Sequence, residues 1–123
     1  ITMLNCLFVG LGGFIGSVCR YLIGLLPVRE GTAFPWKTLA INVAGAFVIG
    51  LIAALAARED GMDPRMALFW RVGICGGFTT FSTFALELNT LMGSGRVWTG
   101  IAYVLASLAL GVSAVWLGRS IVA

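Results

Sequence analysis

The segment that decides the fold of this 123-residue chain is Gly73-Ile-Cys-Gly-Gly-Phe-Thr-Thr-Phe-Ser-Thr-Phe84. It lies within an apolar stretch, yet the adjacent Gly76 and Gly77 each weaken a helix relative to alanine. The hydroxyl-bearing residues that follow offer the main chain hydrogen bonds that compete with the helical ladder. The segment therefore predicts either a broken helix that forms an ion site or a Gly/Thr-rich face for helix packing.

The composition indicates a membrane protein. Hydrophobic residues make up 59% of the chain and charged residues only 11%, and the mean hydropathy is +1.01. A soluble domain of this length has no core large enough to bury so much apolar surface. We therefore expect an all-α, multi-pass membrane protein with a single transmembrane domain that comprises residues 1–123.

Four segments are long and apolar enough to cross a bilayer, which takes about 20 residues each. We predict spans at residues 3–26, 37–57, 65–91 and 97–117. The third span contains the Gly/Thr-rich segment, so its helix is expected to break mid-membrane. In the first span, Gly12 and Gly16 form a GxxxG motif that lets another backbone approach closely, without indicating which one.

Few polar side chains lie inside the first two spans. Arg20 lies late in the first span, where it either snorkels to the interface or has a structural or mouth-lining role. Asn42, one turn after Thr38 in the second span, either bonds a neighbouring helix or faces a polar passage.

The third and fourth spans each carry a polar face. Helical periodicity puts four residues of the third span on one side after the predicted break: Thr80, Thr83, Phe84 and Glu87. Glu87 either lines a mouth or marks the end of the membrane zone. A half-polar stripe with a four-residue repeat runs along the fourth span: Tyr103, Ser107 and Gly111.

The positive charges are nearly balanced across the membrane. With four spans, the side with both termini and the second loop carries Arg58, Arg65, Arg71 and Arg119. The other side carries Arg20, Arg29, Lys37 and Arg96. A balanced count predicts a weak orientation preference. Insertion in both directions would allow an antiparallel dimer, which supplies the inverted repeat that many transporters carry within one chain.

The residue content argues against an enzyme. The sequence has no histidine, no pair of carboxylates within a span, no nucleophile beside a base and no phosphate-binding loop. Cys6, Cys19 and Cys75 are isolated, without metal-binding spacing, and are expected to be small core residues. The net charge of +3 is scattered, which argues against a nucleic-acid partner.

Neutral polar groups suit permeation, because a passing ion must exchange part of its hydration without being trapped. The amide of Asn42 and the threonine and serine hydroxyls can donate to an anion, and the ring edges of Phe81 and Phe84 are positive. A break near residues 76–79 would leave free carbonyls on one half-helix and free N–H groups on the other. The carbonyls favour a cation and the N–H groups an anion.

Together with Asn42 and Arg20, the string Gly76-Gly-Phe-Thr-Thr-Phe-Ser-Thr-Phe84 resembles the small fluoride channel family, the Fluc or CrcB proteins. The resemblance covers the whole four-span chain. It implies a fluoride-selective channel in the bacterial inner membrane that exports cytoplasmic fluoride by passive electrodiffusion and confers fluoride resistance. It also implies an antiparallel, dual-topology homodimer with two fluoride pores in the lipid bilayer.

The resemblance also assigns roles to individual residues. Main-chain carbonyls of Gly76 and Thr79 would hold a central, structural sodium ion. The implied pore residues are Thr38, Asn42, Phe81, Thr83, Phe84, Glu87, Tyr103 and Ser107. Two positions depart from the family pattern. Lys37 replaces the glycine of many members and places a cation near a vestibule, and Gly111 replaces a serine that some members carry.

Two other functions remain open on the sequence alone. A small dual-topology, proton-coupled exporter would use Glu87 as its carrier carboxylate. A non-conducting helical subunit would pack against a larger membrane complex. The first predicts flux that follows a proton gradient, and the second predicts no flux from the purified protein.

Overall fold

The computed structural model describes residues 1–122, and within that range the secondary structure is entirely helical, which confirms the all-α prediction. The helices are α1 (Thr2–Gly24), α2 (Trp36–Ala56), α3 (Pro64–Leu68), a π-helical segment (Phe69–Cys75), α4 (Gly76–Phe78), α5 (Phe81–Gly93) and α6 (Val97–Val122). Of these, α1, α2 and α6 are each long and apolar enough to cross a membrane.

The third predicted span is divided into two pieces. Helical residues run without interruption from 64 to 78, beginning where the Asp63 side chain accepts a hydrogen bond of 2.8 Å from the Arg65 N–H. Thr79 and Thr80 are then extended, with ψ angles of 156° and 113°. Helix α5 begins at Phe81. The Gly/Thr-rich segment thus ends one helix and starts another, with two extended residues between them.

Helix α1 packs against the first piece of the third segment through its GxxxG motif. A Cβ atom on Gly12 would collide with the carbonyl oxygen of Phe69, and one on Gly16 with the carbonyl oxygen of Ile74. The backbones therefore touch directly, as small residues at membrane helix contacts permit. This contact decides the partner of the motif, which the sequence left open.

Helices α2 and α6 form the second close pair. A Cβ atom on Gly50 would collide with the carbonyl of Val115, and one on Gly118 with the carbonyl of Phe47. Near the other end of this pair, Leu39 and Tyr103 form a small buried core with Leu91.

Many large apolar side chains remain exposed on the outer faces, including Phe14, Val112 and Trp116. Such a surface is suited to lipid or to another subunit. The expectation for the cysteines is wrong in part. Cys75 is buried, but Cys6 and Cys19 are exposed, because no other segment within residues 1–122 covers α1 at those positions.

Candidate functional site

Asn42 pairs with the backbone of the helix break. The Thr80 N–H donates to Asn42 Oδ1 at 2.8 Å, and Asn42 Nδ2 donates to the Thr80 carbonyl at 3.3 Å. The amide of Asn42 thus satisfies both main-chain groups of an extended residue that has no helical partners. Such compensation is what a broken helix requires inside a membrane protein. Of the two interpretations of Asn42, the structure shows the hydrogen bond to a neighbouring segment, and the side chain also lines a cavity.

Thr80 also caps the second half-helix. Its Oγ1 accepts a hydrogen bond of 3.1 Å from the Thr83 N–H and donates one of 3.0 Å to Thr83 Oγ1. Threonine is a good N-cap because its oxygen satisfies one of the free N–H groups of the first turn. The start of α5 is therefore fixed by Thr80 and Thr83 together.

The carbonyls of Gly76 and Thr79 are among those at the break that lose their usual helical donors. The Thr80 N–H, which in a continuous helix would bond the Gly76 carbonyl, is taken by Asn42. The Thr83 N–H, which would bond the Thr79 carbonyl, is taken by Thr80 Oγ1. The family resemblance implies that these two carbonyls hold a sodium ion. Oxygen atoms freed in this way suit a hard cation.

Arg20 bonds the end of the first half-helix. Its Nε donates to the Gly77 carbonyl at 3.1 Å. This carbonyl would accept from residue 81 in a continuous helix, so the break leaves it free. A guanidinium at a helix C-terminus is also favoured by the helix dipole. Arg20 thus makes a structural contact with the third segment.

Glu87 holds two hydroxyl groups. Thr38 Oγ1 donates to Oε2 at 2.9 Å, and the Tyr103 hydroxyl donates to Oε1 at 2.8 Å. Tyr103 is fully buried, so its hydroxyl needs such a partner. Three predicted pore residues from three different helices therefore form one network, in which the hydroxyl hydrogens point at the carboxylate.

The two phenylalanines after the break differ in their surroundings. Their ring centroids lie 5.9 Å apart, and the Phe84 ring lies 4.9 Å from that of Tyr103. Phe84 is half-buried, whereas Phe81 is 79% exposed. The Phe84 ring thus belongs to the subunit core, and the Phe81 ring projects from it.

A cavity of about 400 Å³ lies beside the break and is called the break cavity below. Its lining includes the predicted residues Asn42, Gly76, Thr79, Phe81, Phe84 and Ser107. The hydroxyl of Ser107 is buried and has no hydrogen-bond partner among residues 1–122. Gly111 does not line this cavity, and a Cβ atom there would meet nothing within 4 Å. Arg71 lines it too, a position that its place in the charge count across the membrane did not indicate.

A second cavity of about 330 Å³ lies on the other side of Thr80 and is called the vestibule. It is lined by Arg20, Lys37, Thr38, Thr80, Thr83 and Glu87, among others. The predicted site residues are therefore divided between two cavities, except Tyr103, which is fully buried and lines neither, and Thr80 lines both. Among residues 1–122, no three His, Cys, Asp or Glu side chains lie close enough to hold a metal ion.

Comparison with known proteins points to one family. The family model described as "CrcB-like protein, Camphor Resistance (CrcB)" matches residues 7–119. Proteins named "Fluoride-specific ion channel FluC" from Rhizobium meliloti and Agrobacterium fabrum are each 44% identical over 97% of this chain and 96% of their own length. A protein of the same name from Chlorobaculum tepidum is 44% identical over 96% of this chain and 94% of its own.

Proposed function

The chain belongs to the CrcB family, and from this membership we propose that it is a fluoride-selective ion channel, not an enzyme. The observation that carries the proposal is the 44% identity, over nearly the full length, to relatives named fluoride-specific ion channels. The chain is a multi-pass membrane protein, and its place would be the bacterial inner membrane. There it would let cytoplasmic fluoride leave by passive electrodiffusion and so confer fluoride resistance.

The proposed path runs from the vestibule to the break cavity past Thr80, the residue that lines both. Two donors in the break cavity support it. One N–H of the Asn42 amide bonds Thr80, which leaves the second available to an anion. The Ser107 hydroxyl is buried at the cavity lining without a partner, so a change of rotamer that exposes it would supply a second donor to an ion there. These neutral donors would replace water around fluoride without trapping it.

Phe81 and Phe84 are proposed to present ring edges to the anion. The edge of an aromatic ring is positive, so it tolerates fluoride while remaining too weak to hold it. Phe84 is held by its contact with Tyr103. The exposed ring of Phe81 would complete a pore wall together with a second copy of the chain.

The network at Glu87 is proposed to act indirectly. In the conformation described, the hydroxyls of Thr38 and Tyr103 are both engaged by the carboxylate. They therefore reduce the negative potential of Glu87 beside the vestibule, where Thr83 also lies. An anion entering the vestibule would meet a carboxylate whose two oxygens already accept hydrogen bonds.

A sodium ion fits the break as a structural cofactor. The carbonyls of Gly76 and Thr79 lack their usual helical donors, because Asn42 and Thr80 divert those N–H groups. A bound cation would balance the partial negative charge of these oxygens, which is unfavourable to leave without a partner in a low-dielectric environment. We propose that the two carbonyls contribute to a central site shared with a second subunit.

We propose that the functional unit is an antiparallel, dual-topology homodimer in the lipid bilayer. The balanced charge count favours insertion in both orientations. The exposed Phe81 ring and the open break cavity also favour a second subunit at this face. An antiparallel arrangement would give two pores that run in opposite directions.

Fluoride efflux from liposomes that contain only the purified protein tests the function. We expect rapid fluoride loss, recorded with an ion-selective electrode, that dissipates an imposed voltage while chloride is retained. A flux that requires a proton gradient would favour an exporter centred on Glu87 instead. The absence of flux from well-folded protein would favour a non-conducting subunit.

A further inference from the structure

Lys37 joins the start of α2 to the end of α1. Its ammonium group donates to the carbonyls of Gly24 and Leu26, both at 2.8 Å. Carbonyls at a helix C-terminus have no intrahelical donors and carry partial negative charge, so a cation is favoured there. The family resemblance implies only that Lys37 places a cation near a vestibule. The structure instead fixes its charge at one place, at the wall of that vestibule.

The vestibule holds two cations and one carboxylate. Arg20, Lys37 and Glu87 all line it. The one ion pair among residues 1–122 joins Arg58 and Asp60, so neither vestibule cation is paired with Glu87. The carboxylate is instead occupied by two hydroxyl donors. The cavity therefore has a net positive charge, without a direct ion pair to cancel it.

Both cations retain donors for a ligand. An ammonium has three N–H donors, and Lys37 uses two of them on carbonyls. A guanidinium has five, and Arg20 uses its Nε–H on the Gly77 carbonyl. Anchoring to the protein prevents Lys37 from turning away into water, as a free lysine side chain would do.

We propose that Lys37 is an anion-capture residue, which draws fluoride into the vestibule and raises its local concentration at the entrance to the pore. The proposal rests on the channel function proposed above and extends it to Lys37, which has no part in the proposed path. Clefts of one charge sign with low-dielectric walls raise the local concentration of counter-ions and speed their entry. Lys37 would raise the local fluoride concentration beside Arg20, whose side chain donates a hydrogen bond to the Gly77 carbonyl at the helix break.

The test compares fluoride efflux from liposomes for Lys37→Gln, Lys37→Arg and the unchanged protein, at low fluoride concentration. Each is measured at about 10 mM and at about 1 M of an impermeant salt, where the screening length falls from about 30 Å to about 3 Å. We expect Lys37→Gln to lose about tenfold in flux at low salt and much less at high salt. Lys37→Arg should retain the flux, because it keeps the charge.

A matched control is Arg96→Gln, which removes a charge from the turn on the same predicted side without touching the vestibule lining. It should leave flux unchanged at both salt concentrations. Equal flux in Lys37→Gln and the unchanged protein at low salt would overturn the proposal. A loss in Lys37→Gln that persists undiminished at high salt would also overturn it, because it would show that Lys37 serves only to hold α1 against α2.

Chemical modification covers the case in which Lys37→Gln fails to fold. Lys37 is the only lysine among the 123 residues. Acylation of amines on the folded, reconstituted protein should therefore reduce low-salt flux, with no effect on Lys37→Arg. Unchanged flux after complete acylation of Lys37 would overturn the proposal. Failure of the channel function itself would appear separately, as a lack of fluoride flux in the unmodified protein.

Discussion

Asn42 and Thr80 exchange two hydrogen bonds across the helix break, so that one side-chain amide takes the place of two missing backbone partners. The two residues lie 38 positions apart in the chain. Their pairing connects α2 to the segment between α4 and α5. It makes Asn42 a structural support of the break as well as a lining residue of the break cavity.

Asn42→Ala should therefore destabilise the protein. It leaves the N–H and C=O of Thr80 without partners, and each unsatisfied buried group costs about 1–3 kcal/mol. Thermal unfolding in detergent, followed by tryptophan fluorescence, measures the change. Asn42→Asp, which keeps an acceptor for the Thr80 N–H, should lose less stability but also lose fluoride flux. If Asn42→Ala unfolds at the same temperature as the unchanged protein, the structural role of Asn42 is contradicted.

The two phenylalanines should respond differently to the same substitution. Phe84→Ile disturbs the packing on Tyr103, and a shape change in a packed core costs about 1–3 kcal/mol. Phe81→Ile alters a ring that is 79% exposed in the subunit, so the subunit should keep its stability. Fluoride efflux should fall strongly in both variants. If both variants conduct like the unchanged protein, the rings take no part in permeation.

Glu87→Gln should reduce the stability of the protein. Its passive fluoride flux should remain and should not come to depend on a proton gradient. Glutamine offers one acceptor oxygen, so one of the two hydroxyl donors loses its present bond, at a net cost of about 1 kcal/mol. Flux should still follow the fluoride gradient and voltage, with and without a pH gradient across the liposome. Complete loss of flux in this variant, together with pH-driven flux in the unchanged protein, would support the exporter.

The contact between α1 and the third segment should tolerate no added side chain. A Cβ atom at Gly16 would collide with the Ile74 carbonyl, so Gly16→Ala should cost about 1–3 kcal/mol through displacement of the helices. Gly10→Ala is the matched control, because a Cβ atom there would meet nothing within 4 Å. The control should be neutral or slightly stabilising, since alanine favours a helix. Similar unfolding temperatures for the two variants would contradict the packing described.

Sodium should stabilise the protein if the carbonyls at the break hold it. A ligand at 100 times its dissociation constant adds about 2.7 kcal/mol to stability. Thermal unfolding should therefore occur at lower temperature when sodium is replaced by a large organic cation at equal ionic strength. Identical unfolding in both salts would remove sodium from the break.

Local chemistry made the helices and the interruption predictable. Three of the four predicted spans form helices that are long and apolar enough to cross a membrane, as the length of their apolar segments indicates. The interruption between Phe78 and Phe81 follows from adjacent glycines and from a threonine well suited to cap a new helix. The same string carries the family resemblance. The matching family model and the fluoride channel relatives confirm that resemblance.

The partners of the polar side chains depend on tertiary structure. Arg20 bonds Gly77 across 57 positions, and Thr38 bonds Glu87 across 49. Periodicity gives the face on which a side chain lies, but not which helix crosses that face. The crossings depend on close backbone contacts at Gly16 and Gly50, which form only when the helices are assembled. The sequence thus determined the helices, a segment that either breaks or packs, and the inventory of donors, whereas the packing of the helices decided which donors bond the main chain at residues 77 and 80 and which bind Glu87.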